Sequence, residues 1–260
     1  MARRGAAIWV ALSARPFLGA YWLMPPLLGA QPGLFPDTRW TLVLSARLDP
    51  AKRRPALEEL VRPRWKALYV VARKHGLPSA EAEDAVQGFV ARLLEGDLLL
   101  RLDPGKGRLR SYLRTAFRHY LSSLRQEERA AKRGAGERHA DLADVEAWVA
   151  SPDASPDELF DRAWALSLFA DALSELEQEY TSGARRGPFE IVRELFQFGA
   201  APPYAELSAR YQMSVPQLKA FVHRARVRFR ELLLSRVADT LTDSADADDE
   251  LAALLEMMAA

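Results

Sequence analysis

The chain contains no cysteine. Disulfides, thiolate metal sites and cysteine nucleophiles are excluded together, and a reducing compartment is compatible with that. Histidine is scarce: His75, His119, His139 and His223 are too dispersed for a local metal motif. Glycine never gathers into a phosphate cradle, because Gly105-x-Gly107 is too short and lies between helical patterns. Period-two runs of β-branched residues are missing, as are Asn-Gly and Asp-Gly hairpin turns. Glu83 and Asp84 are adjacent, so a helix sends them to different sides and they do not form an acid–base pair. Nothing here points to an enzyme.

Net charge of one sign is also lacking: 36 basic residues face 35 acidic ones, for +1 overall. The balance hides segregation along the chain, and the segregation carries the reading. Apolar residues make up 49% of the sequence, enough to build a packed core.

The start is unusual. Arg3 and Arg4 precede an apolar run, Ala6 to Leu12, in the manner of a secretion signal. Arg15-Pro16 interrupts that run, and Pro25-Pro26 breaks the next one, Phe17 to Leu28. No stretch there approaches the ~20 uninterrupted apolar residues of a spanning helix. Residues 1–36 therefore read as a leader: disordered or preceding the true start, an extra packed segment, or a membrane or signal element.

From Asp37 onward the pattern is helical. Leu57, Leu60, Val61, Leu68 and Ala72 mark an amphipathic helix ending near Gly76-Leu77-Pro78. Ser79 is placed to cap the next, whose apolar face is Val86, Phe89, Val90, Leu93 and Leu94. Gly96 to Gly107 is a loop, and Arg108 to Ala131 reads as one long helix with Leu109, Tyr112 or Leu113, Ala116, Tyr120 and Leu124 inward. Lys132 to Ser155 has the composition of a linker, with a small apolar patch at Trp148. Ser155-Pro156-Asp157-Glu158 then offers a capping Ser, Pro at the first helical position and Glu three residues after the cap. Helices are expected over Leu159 to Tyr180 and Phe189 to Phe198.

The strongest local pattern is Tyr204 to Leu234. A short helix, Tyr204 to Tyr211, turns at Gln212-Met213, and Ser214 caps a long second helix. Leu218, Val222, Ala225, Phe229 and Leu232 face inward at 4-3-4-3 spacing. Ser214, Gln217, Lys219, Ala220, His223, Arg224, Arg226 and Arg228 lie at its start or along its outer face. Arg and Lys suit guanine edges, Gln suits adenine and any cation suits phosphate, so the pair matches a helix-turn-helix docked in a major groove. Gln212 stands where such turns often need Gly for a left-handed backbone, at a cost of roughly 1 kcal/mol. The alternative is a basic amphipathic helix that merely covers a core.

A second basic row lies upstream. Arg110, Arg114 and Arg118 recur every four residues, and eight basic residues between Arg108 and Arg133 oppose only Glu127 and Glu128. Tyr112, Phe117, His119 and Tyr120 are interleaved with them, a mixture suited to single-stranded DNA, although a solvated charged face fits nearly as well. Two basic helices on either side of a linker fit a bipartite DNA site. The segment from Leu241 is acidic, with Leu251, Leu254, Leu255 and Met258 forming a short amphipathic helix capped by Asp248 or Asp249. It is expected to pack on the second domain or to fold over the basic recognition helix as a mimic of DNA charge.

Several segments, in order, resemble the extracytoplasmic-function sigma factors of the sigma-70 family. Ala82-Glu83-Asp84-Ala85-Val86-Gln87-Gly88-Phe89 resembles the family's acidic polymerase-docking helix. Gly107-Arg108-Leu109-Arg110-Ser111-Tyr112-Leu113 resembles the lead into its promoter-melting helix, with Leu109 and Tyr112 in place of the commoner aromatics. Ser214 to Leu233, with His223-Arg224-Ala225-Arg226, resembles its recognition helix. The resemblance spans Asp37 to Val237 and implies a sigma factor that brings core RNA polymerase to promoters. Glu83, Asp84, Gln87, Phe89 and Leu93 would meet the clamp of the large polymerase subunit, with its flap as a second contact. Asp103, Lys106, Arg108, Arg110, Tyr112, Arg114, Arg118 and His119 would hold the melted −10 strand, and the paired helices would bind the −35 duplex.

The expected fold is all-α: two small helical domains joined by a flexible linker, the second containing the helix-turn-helix. The leader covers 1–36, a melting domain 37–131, the linker 132–155, a helix-turn-helix domain 156–237 and an acidic extension 238–260. A cytoplasmic location is expected, with no cofactor, membrane or small-molecule substrate, and with an anti-sigma factor as a further partner. The competing reading is a helix-turn-helix repressor or activator that is not a polymerase subunit.

Overall fold

The computed structural model describes residues 38–45, 49–95, 98, 108–128, 154–185, 187–196 and 202–259. The leader, the Trp148 patch, Asp103, Lys106 and most of the expected linker lie outside them. The regular elements among the described residues are all helical, joined by turns, and the β pairing among them is one isolated antiparallel bridge between Arg108 and Leu241. In chain order the helices are α1 (Arg39–Ser45), α2 (Pro50–Val61), α3 (Trp65–Lys74), α4 (Ser79–Glu95), α5 (Leu109–Glu128), α6 (Pro156–Thr181), α7 (Phe189–Phe196), α8 (Tyr204–Tyr211), α9 (Val215–Ala238) and α10 (Ala247–Ala259). Short 3-10 turns occupy Arg62–Arg64 and Ser244–Asp246.

Contacts divide the chain into two compact units. One contains the described residues up to Ser167 together with Val237–Met258, and the other contains Leu168–Arg236. The division passes through α6 and at the end of α9, whereas the sequence suggested borders at 156 and 237. The acidic extension belongs with α1 to α5, not with the second domain as expected.

In the first unit, α2 and α3 were expected as one helix. Pro63 breaks them apart, because proline lacks the N–H an α-helix interior requires and its ring crowds the preceding turn. The end of α3 falls where expected. Gly76 adopts φ 88°, its N–H reaches Arg73 O at 2.8 Å, and Leu77 N–H reaches Ala72 O at 3.3 Å. These two bonds form a Schellman cap that satisfies orphan carbonyls. α4 begins at Ser79 itself, whose hydroxyl lies 3.0 Å from that of Tyr69.

The core of this unit includes Leu57, Leu68, Tyr69, Phe89, Leu93, Leu109, Leu113 and Phe117, all essentially inaccessible. Phe89 meets Phe117 edge-on at 5.0 Å between ring centroids and Tyr120 at 5.6 Å, which locks α4 against α5. Gly88 permits this approach, since a Cβ there would stand 2.5 Å from the Tyr120 hydroxyl.

The start of α6 is a capping box: Ser155 Oγ accepts from Glu158 N–H at 3.2 Å, and Ser155 N–H donates to Glu158 Oε2 at 2.8 Å. In the second unit, Phe169 and Phe196 pack on Phe229 of α9, and Tyr180 on Phe189 and Phe221. The break between α6 and α7 contains Gly183 at φ 78° and Gly187 at φ 127°, backbone that L side chains resist.

Candidate nucleic-acid interface

α5 turns Leu109, Leu113, Phe117, Tyr120 and Leu121 into the core. Its 3.6-residue period leaves Arg110, Arg114 and Arg118 one turn apart on another face. Carboxylates from two distant segments meet that row. Arg108 Nη1 lies 2.6 Å from Glu250 Oε2, and Arg110 Nη2 lies 2.9 Å from Glu250 Oε1. Arg110 Nη1 is also 3.0 Å from Asp161 Oδ1, an ion pair whose angle falls short of a hydrogen bond. Arg114 Nη1 donates to Asp161 Oδ2 at 2.7 Å, and Arg118 Nη1 to Asp157 Oδ2 at 3.1 Å. The row therefore runs from dry to wet. Side-chain exposure is 8% for Arg110 and 2% for Glu250, against 53% for Arg118.

Arg110 is thus not open to a strand in this conformation, because Asp161 and Glu250 enclose its guanidinium. Arg108 and Arg114 are likewise engaged. Tyr112 is half-buried beside Trp40, 5.8 Å between centroids, with its hydroxyl buried and unpartnered. Burial pushes that hydroxyl's pKa far up, so it stays neutral. His119 is exposed.

Backbone contacts fix the extension to the same unit. Trp40 N–H donates to Asp239 O and Leu109 N–H to Thr240 O, each at 3.0 Å, and Thr38 Oγ1 donates to Leu241 O at 2.5 Å. Thr240 thereby satisfies an orphan donor at the start of α5. Asp243, not Asp248 or Asp249, caps the turn before α10, accepting from Ala245 N–H at 2.9 Å. Leu241, Ala247, Leu251 and Leu254 are buried.

α8 and α9 form the second cationic surface. Leu207 anchors α8 with no exposure, and Gln212 follows in the left-handed conformation at φ 52°, φ being positive at no other non-glycine residue among those described. Ser208 steadies the turn, accepting from Met213 N–H and donating its hydroxyl to Met213 O. Ser214 caps α9 in a reciprocal box with Gln217, whose Oε1 accepts from Ser214 N–H at 2.8 Å and from its hydroxyl at 2.9 Å. Gln217 therefore commits its side-chain oxygen to the cap and retains only its amide donors. Arg210 and Tyr211 both bond Glu194, tying α8 to α7.

Leu218, Val222, Ala225, Phe229 and Leu232 are all buried, as their spacing requires. Ser214, Gln217, Lys219, Ala220, His223 and Arg224 are exposed. No ion pair among the described residues occupies Lys219, His223 or Arg224. Arg226 is half-buried. Arg228 differs from its neighbours: its Nη2 lies 2.6 Å from Glu179 Oε1, and its Nη1 2.8 Å from Glu231 Oε2. Hydrogen bonding to Glu179 raises its pKa further, and the pair ties α9 to α6. Arg228 is therefore a structural cation, engaged within its own unit.

The residues expected to meet polymerase separate in the same way. Asp84 and Gln87 are exposed, but Phe89 and Leu93 have no accessible surface and Glu83 is 4% exposed. Helical periodicity turns Phe89 and Leu93 toward α5, which withdraws them from any surface role. What α4 presents instead is the wall of a groove of about 640 Å3, lined by Trp65, Glu83, Val86, Gln87, Val90 and Leu94 with α2 alongside. Sequence reasoning missed Trp65 as a wall residue. It also missed Asp157, Asp161 and Glu250 as partners of the α5 row; two sets of one-turn spacing, 157/161 and 114/118, were the available signal.

No family model matches this chain, and no similar curated protein or solved structure is found. Among the described residues no cluster of His, Asp and Glu is arranged to hold a metal, and no helix is long and apolar enough to cross a membrane.

Proposed function

We propose that the protein is a transcription initiation factor of the sigma kind, which binds promoter duplex through α8 and α9 and acts with core RNA polymerase. The observation that carries this reading is the tight left-handed turn at Gln212 between two helices, followed by an α9 start whose Lys219, His223 and Arg224 stand exposed and, among the described residues, in no ion pair. A short helix, a tight turn and a basic helix N-terminus make a major-groove reader, in which phosphate contacts set position and a few side chains reach base edges.

The polymerase partner rests on the resemblance of residues 82–89 and 107–113, and on an apolar groove flanked by exposed Gln87. Opening a duplex costs a few kcal/mol for each base unstacked and flipped. A small helical unit recovers that only when held in place, and two weak DNA contacts on one polymerase complex gain avidity. The test is runoff transcription on genomic fragments with purified core polymerase, with and without the protein. New start sites are expected, and Gln87→Ala should lower polymerase affinity while leaving duplex binding intact. Duplex binding with no effect on polymerase would favour the stand-alone regulator.

A further inference from the structure

We propose that α10 is an acidic latch: Glu250 stands in for a nucleic-acid phosphate on Arg108 and Arg110, and a single strand must displace it to reach the α5 row. The inference rests on the reading of α5 as a strand-binding helix and adds a regulated state to it. Glu250 bridges two arginines with 2% of its side chain exposed. Burying a carboxylate among guanidinium groups carries a large desolvation cost, and an apolar pair would often serve packing as well or better. The arrangement is therefore better suited to matching charge than to building a core.

The other carboxylates continue the imitation. Asp157 and Asp161 sit one turn apart on α6 and meet Arg118 and Arg114, which sit one turn apart on α5. Together with Glu250 they place anions along the row from Arg108 to Arg118, as a strand backbone would. The latch is acidic beyond its contact residue: residues 237–260 contain no Lys or Arg, and Asp249 and Glu256 are exposed. Its buried side chains are Ala247, Leu251 and Leu254 beside Glu250, and Arg110 Nη1 also reaches Met257 Sδ at 3.4 Å. An anion competing for Arg108 and Arg110 thus has to displace the Glu250 carboxylate and the helix that carries it.

The test is fluorescence anisotropy of a labelled oligothymidylate strand with the full-length protein at low salt, comparing Glu250→Gln with Glu256→Gln. The first removes the latch charge and the second removes an exposed charge from the same helix. Glu250→Gln should tighten strand binding by about tenfold, the equivalent of one competing contact, and Glu256→Gln should change it far less. Hydrogen exchange on the unaltered protein, with and without saturating strand, should show α10 losing protection when the strand binds. That readout decides the matter even if Glu250→Gln folds poorly. Equal effects of the two substitutions, absence of strand binding in both the unaltered and substituted proteins, or undiminished α10 protection at saturation would each overturn the latch. Runoff transcription reports separately on the sigma assignment, so a failed latch with new start sites leaves that assignment standing.

Discussion

Two rows of cations, alike on paper, differ in their surroundings. Arg108, just before α5, and Arg110, Arg114 and Arg118 on it all meet carboxylates, and one of them is buried. At the start of α9, Lys219, His223 and Arg224 are exposed and in no ion pair among the described residues. Counting charges cannot distinguish them, because the carboxylates that occupy the first row come from segments far away in sequence. The structure thus presents one cationic surface open and another closed by carboxylates; on the proposed reading, a bipartite DNA reader built this way would engage its two sites in order.

The largest expected effect comes from the core behind the shut row. Phe89→Ala removes the ring that meets Phe117 and Tyr120, and should cost about 3–5 kcal/mol of stability by chemical denaturation. Gly88→Ala should cost about 1–3 kcal/mol, since its methyl would collide with the Tyr120 hydroxyl. If either substitution were harmless, the wall behind α5 would be softer than its packing implies.

Neighbouring arginines sharpen the contrast within α9. Arg224→Ala should weaken duplex binding by about 1–3 kcal/mol in a salt-controlled titration and leave the melting temperature nearly unchanged. Arg228→Ala should do the reverse, lowering stability by about 1–2 kcal/mol through loss of the Glu179 contacts, with little change in duplex affinity. If both weakened DNA equally, Arg228 would be exchanging Glu179 for phosphate on binding, and the open surface would extend further along α9. Ser214→Ala should cost about 1 kcal/mol by freeing the first turn of the same helix.

Local rules made much of this visible beforehand. The Ser155 and Ser214 caps, the left-handed turn at Gln212, the helix end at Gly76 and the inward 4-3-4-3 spacing of α9 all depend on residues within a few positions of one another. Periodicity also put Phe89 and Leu93 on an apolar face, and the structure agrees; only the family resemblance had pointed them at a partner. What could not be read was non-local. Glu250 finds Arg110 across a long separation through the pairing of residues 239–241 with α1 and the start of α5. Neither charge nor period encodes that docking. Pro63 marks the break between α2 and α3 in the sequence too, although the apolar pattern continues beyond it.

The smallest effect tests whether Arg228 is held as tightly as its geometry indicates. Arg228 first, then Arg185, hold the Glu179 carboxyl below the usual carboxylate range, while burial opposes them. A depressed folded-state pKa contributes stability that is complete above the unfolded pKa and is lost as pH falls through the folded value. The melting-temperature gap between the unaltered protein and Arg228→Ala should therefore be widest near neutrality and narrow as the solution becomes more acidic than ordinary carboxylates. Glu158, lowered by its bonds to Ser155, titrates in the same direction, but it is fully exposed and its contribution is common to both proteins. It cancels in the difference. A gap that stayed constant into acid would mean that Arg228 stabilises α9 by packing its stem, not by its charge, and the distinction between a structural cation and a free one would then rest on shape alone.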